Sequence, residues 1–576
     1  MKSITETLEN LFSEASIKAF PNLENTLTEI TPSTNPKFGH YQYNSAMKLS
    51  KALKQPPRSI AEAIIPHVDR SLIANLEIAG PGFINITLST DFLNDYTNRM
   101  LHDDHLGANT SESHQKVIVE FSSPNVAKEL HVGHLRSTII GDSIARIFEF
   151  LGYDVLRLNH IGDWGTQFGM LIAYIKKVAP EMLEGSKEVD LPQLMQWYKE
   201  SKNTFDHDAE FKKQSQLEVV ALQGGDPGSK KAWEVMCDIS RKAYQEIYDL
   251  LDVKLVERGE SYYNEELPKI VAELEEKGIV EVSHGAKCIF LDGFINRDGD
   301  PLPLMIQKSD GGYNYDTTDM AAIKQRIVEE KADRIIYITD AGQAQHFYMV
   351  FKAAEKAGYY NPEKIRIDHV PFGLVLGSDG KKFKTRSGDT EKLIDLLNAA
   401  IEKARQIMDD RSPDIEKEER DHIAKELGIG AVKYADLSTN RTGDYMFSYD
   451  KMLRFEGNTA AFLMYSYVRI AGIKRKTGTS IDEIKGSISL EHPSEIDLGL
   501  HLCRFGEALE TVLEDLLPSR LSDYLYQLAQ KFNAFFRDCR VEGSDQQEER
   551  LLLCELTART LQCGLSLLGV NTVDRM

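Results

Sequence analysis

Four residues close together in the first half of the chain are of types that can bind a nucleotide. Lys128 precedes His131, Gly133 and His134 in the segment KELHVGH. Histidine side chains and the unpaired N–H groups at a helix start can hold phosphate oxygens, and a glycine lets the backbone approach a ribose closely. A helix cap beside a surface histidine would use the same residue types, as would a zinc-binding pair. No second Cys or His cluster at ligand spacing supports zinc, so the nucleotide site and the cap remain the two interpretations.

The surrounding sequence predicts the elements that would position these residues. Residues 116–120, KVIVE, form a β-branched apolar run typical of a strand buried on both faces of a parallel sheet. The polar segment SSPN breaks the strand, and apolar residues at helical spacing from Leu135 to Leu151 predict a helix. Residues 153–159 predict a second strand. This is a βαβ unit whose histidines lie at the carboxyl end of the first strand, where open α/β sheets bind ligands.

This arrangement resembles the signature of a known enzyme family. His-Val-Gly-His after a strand is similar to the "HIGH" motif of class I aminoacyl-tRNA synthetases, and SSPNVAKELHVGHLRSTIIGD resembles its arginyl-tRNA synthetase form. The resemblance extends from Asn35 to Met576. It implies a multidomain α/β plus all-α fold: an α+β N-terminal domain at 1–110, a Rossmann-like parallel-sheet catalytic domain at 111–425 and a helical anticodon-binding bundle at 426–576. A mostly helical connective insertion is expected around 172–280.

Composition sets limits on compartment and partners. The 576 residues, 42% hydrophobic and 27% charged, are typical of a globular protein with several domains. No apolar run approaches the ~20 residues that span a bilayer, and the acidic N-terminus is unlike a signal peptide, so we expect a cytoplasmic protein without a membrane segment. The six scattered cysteines suggest neither disulfides nor a structural metal. The net charge of −21, taken alone, argues against nucleic-acid binding.

The N-terminal region contains candidate RNA-binding residues. Its first twenty residues have helical apolar spacing, and 74–88 contains two alternating runs around Gly-Pro-Gly, which predict a hairpin. Between them, Phe38, Tyr41 and Gln42 bring aromatic rings and an amide together. Such groups stack on and hydrogen-bond to unpaired bases, although they are equally typical of a capping loop whose rings lie in the core. The resemblance favours contact with tRNA.

Past the insertion, three apolar runs each lead into a polar break, which predicts further strand ends at the site. Tyr315 and Asp319 are expected to flank a strand-to-helix turn, and Gln343 follows the next run. By themselves Asp319 is typical of a helix cap and Tyr315 of a core residue. The resemblance implies an arginine pocket instead. In it Asp319 and Glu120 pair with the guanidinium, Tyr315 packs against it, and Asn125 and Gln343 bind the amino and carboxylate ends.

The glycine-flanked segment GSDGKKFKTRSG is basic and resembles the "KMSK" loop of class I enzymes in position but not in letters. Lys382 takes the place of the first lysine of that motif, whereas Thr385 replaces the last. Cations here would stabilise the pyrophosphate leaving group, although a solvated basic turn is the alternative. Our first candidate for the cation that replaces the lost lysine is Lys128, followed by Lys384 or Arg386.

From about residue 430 the sequence predicts helices to the end. Asn458, Tyr465 and Arg469 combine an amide, a ring and a cation at spacings that one or two helix faces can present. That pattern alone is more typical of a bundle core, but the resemblance implies anticodon binding.

The resemblance thus implies ATP-dependent attachment of L-arginine to tRNA(Arg) through an arginyl-adenylate. His131, His134 and the lysines would stabilise charge, with Mg²⁺ carried by ATP. Adenylate formation is expected to need tRNA, and the protein is expected to be a monomer. Two alternatives stay open: a related class I enzyme with another substrate, and a tRNA-binding or regulatory protein without catalysis.

Overall fold

The structure is a computed structural model that describes residues 1–23, 28–183, 185, 187–296, 298–383 and 391–576. The chain forms two compact units. Unit 1 comprises Met1–Glu112, Phe455–Leu567 and Asn571–Met576, and unit 2 comprises Ser113–Arg454 and Leu568–Val570. Among the described residues, no helix combines the length and the apolar character needed to cross a membrane.

The chain begins with a small α+β domain. Its elements are α1 (Ile4–Ala19), β1 (Ile30–Pro32), β2 (Tyr41–Tyr43), α2 (Ser45–Leu53), α3 (Pro57–Ile64), β3 (Ile73–Ala79), β4 (Phe83–Leu88) and α4 (Thr90–Leu101). The strands form an antiparallel sheet in the order β1-β2-β4-β3. The predicted first helix and the predicted hairpin, now β3 and β4, are therefore confirmed.

Unit 2 begins with the predicted βαβ unit: β5 (Lys116–Glu120), α5 (Val132–Phe150) and β6 (Asp154–Asn159). The two strands pair in parallel with Glu120 opposite Leu158. A helical insertion follows as expected, with α6 (Thr166–Val178), α7 (Pro180–Leu183), α8 (Leu191–His207), α9 (Ala209–Gln223) and α10 (Pro227–Leu250). Then come β7 (Val256–Glu257), which returns to the sheet, and α11 (Leu267–Glu276).

The next segment differs from the sequence prediction. A separate antiparallel sheet is formed by β8 (Glu281–Ser283), β9 (Ala286–Ile295) and β10 (Pro301–Gln307), and α12 (Tyr315–Lys324) follows. The prediction that Tyr315 and Asp319 flank a strand-to-helix turn is wrong, because both lie on α12 about one helical turn apart. A π-helical turn, Gln325–Glu329, extends α12.

The parallel sheet is completed by β11 (Arg334–Asp340), α13 (Ala344–Lys356) and β12 (Arg366–Phe372). The strand order is β12-β11-β5-β6-β7 and every pair is parallel, as in a Rossmann-like sheet. The strand order reverses between β5 and β11 at the centre of the sheet, and such folds bind ligands beside this topological switch point. Unit 2 continues with β13 (Val375–Leu376), α14 (Leu393–Arg411), α15 (Lys417–Leu437), β14 (Tyr445–Met446) and α16 (Tyr449–Met452). The predicted helical run from residue 430 is thus interrupted by β14.

Unit 1 also contains the C-terminal helices: α17 (Ala460–Thr477), α18 (Pro493–Cys503), α19 (Phe505–Asp515), α20 (Ser519–Asp538) and α21 (Gln547–Leu567). Within unit 1, Glu507 on α19 accepts hydrogen bonds from the Thr5 hydroxyl at 2.8 Å and the Tyr41 hydroxyl at 3.0 Å. The predicted fold class, a Rossmann-like parallel-sheet domain with an inserted helical segment, an α+β N-terminal domain and a helical C-terminal domain, is confirmed.

Candidate active site

A cavity of about 760 Å³ lies at the carboxyl ends of the parallel strands of unit 2. It brings together nine of the predicted site residues: Glu120, Asn125, His131, Gly133, His134, Tyr315, Asp319, Gln343 and Lys382. Lys128 is exposed and is not among the lining residues. Lys384 and Arg386 lie outside the described residues.

The two histidines cap the helix that they begin. His131 Nδ1 accepts the Gly133 N–H, and His134 Nδ1 accepts the His131 N–H, each at 3.1 Å. Both rings therefore carry their hydrogen on Nε2 when neutral, where it is available to a ligand oxygen. A Cβ at Gly133 would lie 3.0 Å from His131 Cε1, so the glycine leaves room for this cap. The cap interpretation and the ligand interpretation are thus compatible, because each ring uses one nitrogen for each role.

These histidines are neutral at pH 7. Burial, followed by the charges of His131 and Lys128, lowers the pKa of His134 to about 3. Burial also lowers the pKa of His131, with further contributions from Lys382 and Lys128. The expectation of charge stabilisation by these rings changes accordingly: they can serve as hydrogen-bond donors, while positive charge must come from the lysines.

The loop between β5 and α5 fits closely against the loop after β6. Gly162 donates its N–H to the Pro124 carbonyl and accepts the Val126 N–H, both at 3.0 Å. A Cβ at Gly162 would approach Asn125 Oδ1 to 2.0 Å, so any other residue here would have to displace the Asn125 side chain. Glycine at this position therefore leaves room for the exposed Asn125 side chain at the cavity wall.

Asp319 lies at the acidic end of the cavity and interacts with two histidines. His346 Nε2 is 2.5 Å from Asp319 Oδ2, and its Nδ1 is 3.2 Å from Asp316 Oδ1. Burial opposes the charge on His346, but hydrogen bonds to Asp316 and Asp319 outweigh it and raise its pKa to about 9. His160 Nε2 lies 3.8 Å from the other oxygen of Asp319. The Tyr315 ring, 60% exposed, packs edge-on against His346.

Glu120 already has a guanidinium partner within the protein. Its carboxylate lies 2.6 Å from Arg326 Nη1, and both side chains are at least 95% buried. Glu120 still lines the cavity, so its carboxylate borders both Arg326 and the cavity. Gln343 ends a 3-10 turn after β11 and is exposed at the cavity rim.

Glu260 and Ser123 are two of the lining residues that the sequence did not predict. Burial, and then Asp319 and Asp163, raise the pKa of Glu260 to about 8. Ser123 Oγ is buried and has no hydrogen-bond partner among the described residues. Neither stands out in sequence: GESYY contains no motif, and in the SSPN segment only Asn125 is predicted to bind a ligand. Among the described residues, no group of three or more His, Cys, Asp or Glu side chains is arranged to hold a metal ion.

The predicted tRNA-contacting residues all lie in unit 1, but they differ in exposure. Phe38 and Tyr465 are 47% and 41% exposed, and Arg469 is exposed above the Phe536 ring. Gln42 is partly buried and donates to Asn85 Oδ1 at 2.8 Å.

Asn458 is likewise partly buried. The prediction that the Tyr41 ring stacks on RNA is wrong, because that ring is fully buried beneath Arg504 with its hydroxyl bonded to Glu507.

Comparison with known proteins agrees with this geometry. Residues 96–449 match the family described as tRNA synthetases class I (R), catalytic domain; residues 2–88 match the arginyl tRNA synthetase N terminal domain, and 463–576 the DALR anticodon binding domain. The fold and cavity of unit 2 are thus those of a class I aminoacyl-tRNA synthetase.

Similarity to individual proteins identifies the family within this class. The arginine–tRNA ligases of Protochlamydia amoebophila and of a Picosynechococcus species are 63% and 52% identical to this chain, each with both chains covered in full. A crystal structure of the arginyl-tRNA synthetase from Plasmodium falciparum matches with a TM-score of 0.87 and 34% identity over both whole chains. The chain belongs to the arginyl-tRNA synthetases.

Proposed function

We propose that the cavity of unit 2 holds ATP at its histidine end and the guanidinium of arginine at its acidic end. The reaction of this chain is that of its family: ATP-dependent attachment of L-arginine to tRNA(Arg) in translation. The observation that supports the proposed arrangement is that one cavity is lined by both the His131–His134 cap and the Asp319 cluster.

In the first step a carboxylate oxygen of arginine attacks the α-phosphorus of ATP. A bond forms between that oxygen and phosphorus, and the bond to the bridging oxygen breaks, so that pyrophosphate leaves. A hydroxyl of the terminal tRNA ribose then attacks the arginyl carbonyl and AMP leaves. Positioning and electrostatic stabilisation supply the rate, and the enzyme forms no covalent intermediate.

At the nucleotide end, the Nε2–H groups of His131 and His134 donate to oxygens of ATP. Lys382 lies within the cavity lining, and Lys128 is close enough for its charge to lower the pKa of both histidines. These two lysines offset the charge that grows on the pyrophosphate. Mg²⁺ arrives bound to the phosphates as part of the ATP substrate. Lys384 and Arg386 remain secondary candidates for the same role.

At the acidic end, Asp319 accepts hydrogen bonds from the guanidinium, with Glu120 as a neighbouring anion and Glu260, whose pKa is raised, as a neighbouring carboxyl group. Tyr315 covers the guanidinium from the solvent side. Asn125 and Gln343 bind the amino and carboxylate ends, which brings the carboxylate to the α-phosphate. A guanidinium presents two parallel N–H groups, and the two oxygens of a carboxylate can each accept a hydrogen bond from one of them. This paired arrangement favours arginine over lysine.

The test is ATP–pyrophosphate exchange with each of the twenty amino acids, with and without tRNA. We expect exchange with arginine alone, and only when tRNA is present. Exchange with another amino acid would overturn the pocket assignment. Absence of exchange under every condition, from protein that still binds tRNA, would overturn the proposed site.

We also propose that unit 1 contacts tRNA through the exposed Phe38, Tyr465 and Arg469, with Gln42 and Asn458 beside them, and that the protein acts as a cytoplasmic monomer. Light scattering at micromolar concentration tests the oligomeric state, and a mass near 65.1 kDa is expected. Phe38→Ala and Tyr465→Ala should each weaken tRNA binding about 5-fold to 150-fold, since one base–aromatic stack contributes about 1–3 kcal/mol.

A further inference from the structure

The loop between β5 and α5 has an unusual backbone conformation. Ser122, Ser123 and Ala127 have φ values of 70°, 47° and 60°, although none of them is glycine. Residues with a Cβ rarely adopt this left-handed region, and such conformations persist when the surrounding structure imposes them. The same short loop contains Asn125 and Lys128, which the proposed function assigns to arginine and to the phosphates.

One face of the long insertion helix α10 lies against this loop. Ser240, Tyr244 and Tyr248 are four residues apart in succession and therefore share one face of the helix. All three side chains are buried, at 0%, 3% and 5% exposure. We call these residues the α10 stripe.

Each member of the α10 stripe contacts the loop at a different point. Ser240 Oγ accepts the Ala127 N–H at 3.0 Å, and Tyr248 Oη lies 2.7 Å from Ser122 Oγ. Tyr244 Oη lies 2.6 Å from two backbone carbonyls, those of Asn125 and Lys128. One hydroxyl hydrogen is shared between these two carbonyls, so Tyr244 joins the two residues that the proposed reaction uses.

Helix α10 also contacts residues at and just after the end of β6. Trp233, on the first half of α10, donates its indole N–H to the Asp163 carbonyl at 2.7 Å and packs edge-on against Trp164. Asn159, the last residue of β6, accepts the Ser123 N–H at 3.0 Å and donates to Tyr248 Oη at 3.3 Å. The loop is therefore enclosed between a strand end and a helix that is fixed at several points.

We propose that Tyr244 is a positioning residue for adenylate formation, and that the α10 stripe holds the β5–α5 loop in the conformation that places Asn125 and Lys128. The helical insertion is on this view part of the catalytic apparatus and more than a spacer between the halves of the sheet. The inference rests on the proposed roles of Asn125 and Lys128.

The test compares Tyr244→Phe with Tyr174→Phe in the full-length protein. Both variants remove one hydroxyl from the insertion, but the Tyr174 hydroxyl donates to Glu200 at 2.7 Å and not to the loop. In tRNA-dependent exchange with arginine, Tyr244→Phe should lower kcat about 10-fold, as expected for one lost hydrogen bond, while KM for ATP and for arginine changes less than about 3-fold. Tyr174→Phe should leave both parameters at the wild-type value.

Hydrogen–deuterium exchange provides the second readout. Amides of residues 121–130 should exchange faster in Tyr244→Phe, with no change in β11, whereas a general loss of stability would raise exchange in both segments. If Tyr244→Phe does not fold, Ser240→Ala removes the acceptor of the Ala127 N–H and should produce the same local effect.

Each outcome bears on a distinct statement. The inference would be overturned if Tyr244→Phe kept the wild-type kcat and the wild-type hydrogen–deuterium exchange of residues 121–130. It would also be overturned if Tyr174→Phe lost as much kcat as Tyr244→Phe. The proposed function would stand in both cases. An inactive wild-type protein would instead overturn the proposed function.

Discussion

Asp319→Asn is the substitution that most directly tests how arginine is recognised. It removes one negative charge from the acidic end of the cavity and keeps the size of the side chain. Asp319 is 18% exposed, pairs with His346 at 2.5 Å and lines the cavity. We expect kcat/KM for arginine to fall steeply, with little change in KM for ATP.

The magnitude follows from burial. Removing one member of a buried, hydrogen-bonded charge pair costs about 2–5 kcal/mol in binding. Asp319 belongs in the lower part of that range, because it is partly exposed and because Glu120 still supplies an anionic group nearby. A cost of about 2–3 kcal/mol corresponds to roughly a 30-fold to 150-fold loss in kcat/KM.

Asp316→Asn is the matched control. Asp316 lies on the same helix, is 12% exposed at its side chain and also pairs with His346, but it does not line the cavity. The assay is tRNA-dependent exchange over a range of arginine and ATP concentrations, with thermal unfolding of each variant. If Asp316→Asn loses as much kcat/KM for arginine as Asp319→Asn, the effect passes through His346, and direct contact between Asp319 and the guanidinium is refuted.

Three further predictions concern titrating groups. Since the pKa of Glu260 is raised to about 8, kcat/KM for arginine should increase as pH rises through 8, and Glu260→Gln should flatten the profile measured from pH 6.5 to 9. Because burial lowers the pKa of His134 to about 3, kcat/KM for ATP should show no step between pH 5.5 and 7.5 that depends on His134; a step there that disappears in His134→Asn would contradict the assigned neutral state. The pKa of His346 is raised from 6.5 to about 9, so its stabilising effect, up to about 3 kcal/mol, is complete below pH 6.5 and lost as pH rises through 9. When the pH is raised from 6 to 9.5, the midpoint temperature of thermal unfolding should therefore fall less in His346→Gln than in the wild type. Equal falls in the two proteins would contradict a stabilising ion pair between His346 and the carboxylates of Asp316 and Asp319.

Much of the site could be predicted from sequence because the relevant signals are local. The β-branched run before the SSPN loop and the helical spacing after it place His131 at a strand end, and the structure confirms that βαβ unit. Parallel strands end at the same edge, so residues far apart in the chain, such as Asn125, Gln343 and Lys382, line one cavity.

The remaining features of the structure depend on contacts between residues far apart in the chain, which no local sequence pattern indicates. Burial of Tyr41 comes from α19, and its partner Glu507 lies 466 residues later in the chain. Glu260 acquires its raised pKa from Asp163 and Asp319, which reach it through tertiary packing. The position of Tyr315 on a helix was missed because the strand-like run before it pairs in a second, antiparallel sheet.

In the arginine pocket that we propose, charge balance at the acidic end, more than acidity as such, accounts for selection of a cation. Three carboxylates, those of Glu120, Asp316 and Asp319, face two internal cations, Arg326 and His346. One net negative charge remains while Glu260 is protonated, and a single guanidinium neutralises it. An uncharged amino acid would leave that charge unpaired in a partly buried site, which is costly. The net charge of −21 on the whole chain carries no such information, because specificity here depends on which carboxylates already have a partner inside the protein.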